Sequence, residues 1–88
     1  MPKISKEIKV LNSQGLHARP AALFVQIAAK YDSNITVQKG KERVNGKSIM
    51  GILTLGANKG SQLIIEVDGD DAQQVLDELE KLLLKENI

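Results

Sequence analysis

Between Ile4 and Val10 the apolar side chains fall on Ile4, Ile8 and Val10, all at even positions among charged and polar neighbours. A period of two with one wet face predicts a half-buried strand. Asn12-Ser13-Gln14-Gly15 is a turn cluster. After it Ala21, Phe24, Val25, Ala28 and Ala29 recur at i, i+3, i+4, i+7 and i+8, which predicts an amphipathic helix over about 18–30. Asn34-Ile35-Thr36-Val37-Gln38 is β-branched and alternating, Lys39-Gly40-Lys41 can turn, and Glu42-Arg43-Val44-Asn45 can return beside it as a hairpin partner. Ser48 can cap a short helix that Gly56 closes. Asn58-Lys59-Gly60 turns the chain into a strand over 61–68, with Leu63, Ile65 and Val67 on one face and Ile64 on the other. Asp70 and Asp71 open a last helix whose Ala72, Val75, Leu76, Leu79, Leu82 and Leu83 form one stripe, with Lys81 and Lys85 near its end to suit the dipole.

The element order is therefore β-α-β-β-α-β-α. Alternating strands need cover on one face only, which the helices can supply. The expected fold is α+β, a two-layer open-faced β-sandwich with an antiparallel sheet. Eighty-eight residues suit one domain, 1–88, and are too few for two cores. With one Phe, one Tyr and no Trp in a chain that is 42% hydrophobic, the core has to be aliphatic. Twelve basic and eleven acidic residues, mixed along the chain, leave a net charge of +1, which is no footprint for nucleic acid or a membrane surface. The absence of cysteine excludes disulfides, thiolate metal sites and a thiol nucleophile. The N-terminal segment lacks the apolar run of a signal peptide, and no segment has the length of a membrane span. The expectation is a cytoplasmic monomer without metal or cofactor.

The single histidine, His17, stands just before the first helix. There the first backbone N–H groups have no intrahelical partner and the macrodipole presents partial positive charge. Ala18 and Arg19 add two free amides and a guanidinium, while Pro20 has no N–H to waste and fixes a helical φ. Amides plus arginine suit a phosphoryl group. A helix N-terminus disfavours imidazolium, so His17 is expected to be largely neutral at pH 7, with a ring nitrogen free to act as nucleophile. Phosphohistidine has an easily broken P–N bond, as a carrier requires. The plainer alternative makes His17 a polar cap and Arg19 a solvated charge. It accounts for Gly15 and Pro20 but not for all four residues together.

Gly15-Leu16-His17-Ala18-Arg19-Pro20-Ala21-Ala22 resembles the active-site segment of the HPr family, the histidine-containing phosphocarriers of the bacterial phosphoenolpyruvate:sugar phosphotransferase system. Lys47-Ser48-Ile49-Met50-Gly51, followed by Leu55-Gly56 and Lys59-Gly60, extends the resemblance over essentially the whole chain. It implies a four-stranded antiparallel sheet covered by three helices. It implies too that His17 accepts a phosphoryl group on Nδ1 from phospho-enzyme I and donates it to sugar-specific enzyme IIA domains, so that the protein is a carrier and not an independent enzyme. In that reading Arg19 steadies the phosphate and the amides of Ala18 and Arg19 receive its oxygens.

Ser48 has a plain structural role as a helix N-cap, although Gly51 stands where a capping box needs Glu or Gln. The resemblance adds a regulatory one, because a serine in this context is the target of an ATP-dependent HPr kinase/phosphorylase in Gram-positive-type relatives and can then serve a catabolite control protein. Phosphate at that helix start would change the charge of a neighbouring surface without melting the fold. Ile49, Met50 and Leu53 at helical spacing read first as core. By resemblance they form, with Ala22 and Gln26, the patch that docks enzyme I and enzyme IIA, where an adaptable Met suits several partners. Gly46-Lys47-Ser48 is not the end of a P-loop, since position 41 is Lys where the first glycine belongs. Lys39, Lys41, Arg43 and Lys47 read as a solvated hairpin. The pair Asn45-Gly46 is turn-prone and is expected to loosen the end of the third strand. Two rival readings share the fold: a carrier of a regulatory, nitrogen-related phosphorelay, against which the Ser48 context argues, and a non-transferring interaction module, against which His17 argues. A hydrolase or independent transferase lacks a base partner for His17 and a metal constellation.

Overall fold

The computed structural model describes residues 3–87, so residues 1, 2 and 88 of the expected domain lie outside the described residues. The elements are β1 (Lys3–Lys9), α1 (Ala18–Ala29), β2 (Asn34–Lys39), β3 (Glu42–Asn45), α2 (Ile49–Thr54), β4 (Gln62–Asp68) and α3 (Ala72–Leu84). The order is the one the periodicity predicts. One antiparallel sheet runs β1-β4-β2-β3, with Ile8 opposite Leu63, Val37 opposite Ile65 and Val37 opposite Val44. Ile8, Leu63, Ile65, Val67, Ile35 and Val37 point to the helices and are buried, whereas Ile64 is left exposed on the open face. That face carries Lys3 and Arg43 on either side of Glu66, at 3.7 and 3.4 Å.

The core is aliphatic around fully buried Phe24, with Leu16, Ile52, Leu79 and Leu83 beside the sheet residues. Leu16 lies before α1 and outside its stripe, yet it is completely buried, while Ala29 from the expected stripe is exposed. The loop preceding the helix thus supplies an anchor that a helical period does not count. The α3 stripe is buried throughout, but its opening acids behave differently from expectation. Asp71 is the N-cap residue and makes no cap bond; its carboxylate accepts from the Ser33 hydroxyl instead.

Two other readings are corrected. Asn45-Gly46 tightens the end of β3: the Gly46 amide donates to Ile35 O at 2.7 Å, and Asn45 Oδ1 accepts from the Lys47 amide at 2.8 Å. A Cβ at Gly46 would run into the Ile35 side chain, so glycine is required there by close approach. The basic residues of the hairpin divide. Lys39 Nζ reaches Leu55 O and Gly56 O at 3.2 and 3.4 Å at the end of α2, and Lys47 Nζ reaches Tyr31 O at 2.6 Å. Lys41 and Arg43 remain on the solvated hairpin.

Candidate functional site

The segment 12–19 is fixed before it reaches the helix. The Gly15 amide closes a turn on Asn12 O at 3.0 Å, with Gly15 at φ +70°, a conformation that favours glycine. Asn12 is buried, and its Nδ2 donates to Leu82 O at 2.9 Å and also to Lys85 O, so the end of α3 holds the turn. Next, the Leu16 amide donates to Ala57 O at 2.7 Å. A Cβ on Gly15 would stand 2.8 Å from Asn58 Cα and closer still to Ala57 O. The missing side chain is what lets the 57–58 segment lie against the loop.

His17 is the N-cap residue of α1, with an extended backbone and an exposed ring. Its Nε2 lies 3.1 Å from Asn58 Oδ1. A carbonyl oxygen only accepts, so this contact is a hydrogen bond when Nε2 carries the ring proton, which leaves Nδ1 with its lone pair. The side chain makes no cap hydrogen bond, so His17 is not a polar side-chain cap, while the exposed Arg19 fits the solvated charge of the plainer reading. Ala18 follows at φ +43°, a left-handed conformation rare for a residue with a Cβ. Such an outlier is held against a cost of about 1–2 kcal/mol.

The first amide engaged within α1 is that of Ala21, 3.5 Å from His17 O, because Pro20 has none to offer. The N–H groups of Ala18 and Arg19 have no partner among the described residues. Beside the imidazole the chain therefore presents two main-chain donors and the positive end of a twelve-residue helix. The Arg19 side chain is exposed and lines a cavity with Asn12, Ser13, Gln14, Pro20, Glu86 and Asn87. No carboxylate among the described residues pairs with it within 4.0 Å.

Ser48 N-caps α2, its Oγ accepting from the Gly51 amide at 3.0 Å, and it is half-buried. Of the α2 residues, Ile52 enters the core with Leu55 just after it, while Ile49, Met50 and Leu53 are 39%, 70% and 38% exposed. Their reading as core is thereby overturned. Ala22 and Gln26 are exposed on α1, which packs against α2. Asn58 is the site residue that pattern reasoning passed over as a mere turn former. Its only sequence signal is indirect, a glycine at position 15 whose neighbour across the fold is not visible in the chain. Among the described residues no cluster of His, Cys, Asp and Glu is placed to hold a metal ion, and no helix is long and apolar enough to cross a membrane.

The family model for PTS HPr components, described by their phosphorylation site, matches residues 4–85. The phosphocarrier protein HPr of Treponema pallidum (strain Nichols) is 46% identical over 79 residues, which cover 90% of each chain. Among solved structures, HPr from Bacillus anthracis str. Ames superposes with a TM-score of 0.90 at 41% identity, covering 92% of this chain and 96% of that one. An HPr from Thermoanaerobacter tengcongensis gives 0.85 at 44% identity, covering 94% and 91%. Matched from first strand to last helix, and carrying its histidine at the mouth of α1, the chain belongs to the HPr family of the phosphotransferase system.

Proposed function

We infer that this protein is the phosphocarrier that takes a phosphoryl group from phospho-enzyme I onto His17 Nδ1 and passes it to enzyme IIA domains in the cytoplasm. The observation that carries this reading is the imidazole at the start of α1, its Nε2 bonded to Asn58 and two unpartnered amides beside it. An Nδ1 lone pair can attack phosphorus while the amides of Ala18 and Arg19 and the Arg19 guanidinium receive the oxygens. The group stays labile because the bond formed is P–N. The exposed Ile49, Met50 and Leu53, with Ala22 and Gln26, suit brief docking of several partners. Ser48 is the proposed regulatory site for an HPr kinase/phosphorylase, and its phosphate would set nearly two negative charges beside that patch. A link to a catabolite control protein would follow from the same modification.

The test is incubation with phosphoenolpyruvate, Mg²⁺ and cognate enzyme I, reading the intact mass before and after mild acid. The expected result is one acid-labile phosphoryl group that is absent from His17→Ala. A wild-type protein left unmodified by a demonstrably active enzyme I would sink the assignment.

A further inference from the structure

We propose that Asn58 is a positioning residue for phosphoryl transfer: its Oδ1, 3.1 Å from His17 Nε2, holds the proton on Nε2 and so keeps Nδ1 free as the nucleophile. This rests on the carrier reading of His17 and deepens it. Three independent features deliver Asn58 to the ring. The Leu16 amide is tied to Ala57 O at 2.7 Å, so the residue before His17 and the residue before Asn58 are joined. Gly15 lets Asn58 Cα lie directly against the loop. On its far side Asn58 starts a turn in which its own O accepts from the Ser61 amide at 2.9 Å and the Gly60 amide donates to Val10 O at 2.7 Å. The segment 57–60 is thus pinned to both flanks of the active-site loop through Ala57 and Gly60, and the Asn58 side chain inherits that position.

The chemistry explains why the acceptor matters. Neutral imidazole exists as two tautomers, and only the one protonated on Nε2 offers a lone pair at Nδ1. As Nδ1 bonds to phosphorus, the bond from phosphorus to the donor breaks and its electron pair leaves with the donor. The ring then carries positive charge shared with Nε2–H, and Oδ1 accepts a stronger bond from the charged ring than from the neutral one. Asn58 thereby favours the product of transfer onto His17 as well as the reactive tautomer. No proton needs to move.

Two readouts test this. Long-range ¹H–¹⁵N spectra of ¹⁵N-labelled protein at pH 9 report the tautomer of His17 without any phosphorylation. The wild type is expected almost wholly in the Nε2–H form, Asn58→Ala is expected as a mixture of both forms, and Asn58→Asp, which keeps an acceptor in place, is expected to restore the wild-type form. The rate of phosphorylation by enzyme I should fall about tenfold in Asn58→Ala, the scale on which an orienting partner of a functional histidine acts, with the amide spectrum otherwise unchanged. An unshifted tautomer in Asn58→Ala, or a shifted one with an unchanged transfer rate, overturns the proposal. Should wild-type His17 take no phosphoryl group, the carrier reading fails instead, and the tautomer comparison alone decides whether Asn58 orients the ring.

Discussion

At Ala18 a β-carbon sits at φ +43°, on the residue that joins His17 to its helix. The conformation turns the chain from the extended His17 into α1, and the neighbouring anchors of Gly15 and Leu16 hold it there. Glycine adopts that conformation without the steric penalty, so Ala18→Gly is expected to raise stability by about 1 kcal/mol, read as a shift of the urea midpoint at constant slope. The places of His17, Arg19 and Ser48 at helix starts were legible in the chain because capping and turn residues reveal them locally. Asn58 was not, since its role is a contact across 41 positions that no local pattern encodes. Gly46 was misread for a related reason: a turn-prone pair looks loose until the Ile35 side chain it must clear is known.

The elements that build the site are braced against each other by charge at the seam of α1 and α3. Glu78 on α3 accepts from Lys30 Nζ at 2.8 Å and from the Tyr31 hydroxyl. The hydrogen bonds from Lys30 and then Tyr31 hold its carboxyl below the ordinary value of 4.5. A carboxylate whose native value is depressed contributes stability above its unfolded value and loses it as pH falls through the native one. The urea midpoint should therefore fall on acidification below 4.5, and Glu78→Gln should lower stability at neutral pH while flattening part of that acid limb. An acid limb equally steep in Glu78→Gln would show that the seam does not contribute to it. Asp71 adds to the same limb, its carboxyl lowered first of all by the Ser33 hydroxyl. The existence and order of the elements followed from periodicity together with turn and capping residues, but which partners brace them did not, because Lys30, just past α1, and Glu78 on α3 each read as ordinary surface charges.

For the whole molecule the decisive quantity is how little core there is to lose. Phe24 is the only Phe in the chain and is fully buried between α1 and the sheet. Phe24→Ala should remove about 3–5 kcal/mol from a total of about 5–15 kcal/mol. Thermal unfolding followed by circular dichroism should show a fall in midpoint far larger than any surface substitution gives, and a small fall would mean that the aliphatic neighbours close the gap. The strand order was beyond local reading as well, since alternation says which face of a strand is wet but not which strand lies beside it. That order has a consequence for the making of the protein. Among the described residues β1 pairs only with β4, residues 3–9 against 62–68, and Leu16 is anchored on Ala57. A chain still growing on the ribosome holds its histidine long before it holds the strand and the carbonyl that frame it. The frame around His17 is therefore a property of the folded chain as a whole: a nascent fragment ending before β4 holds the histidine without the strand that pairs with β1.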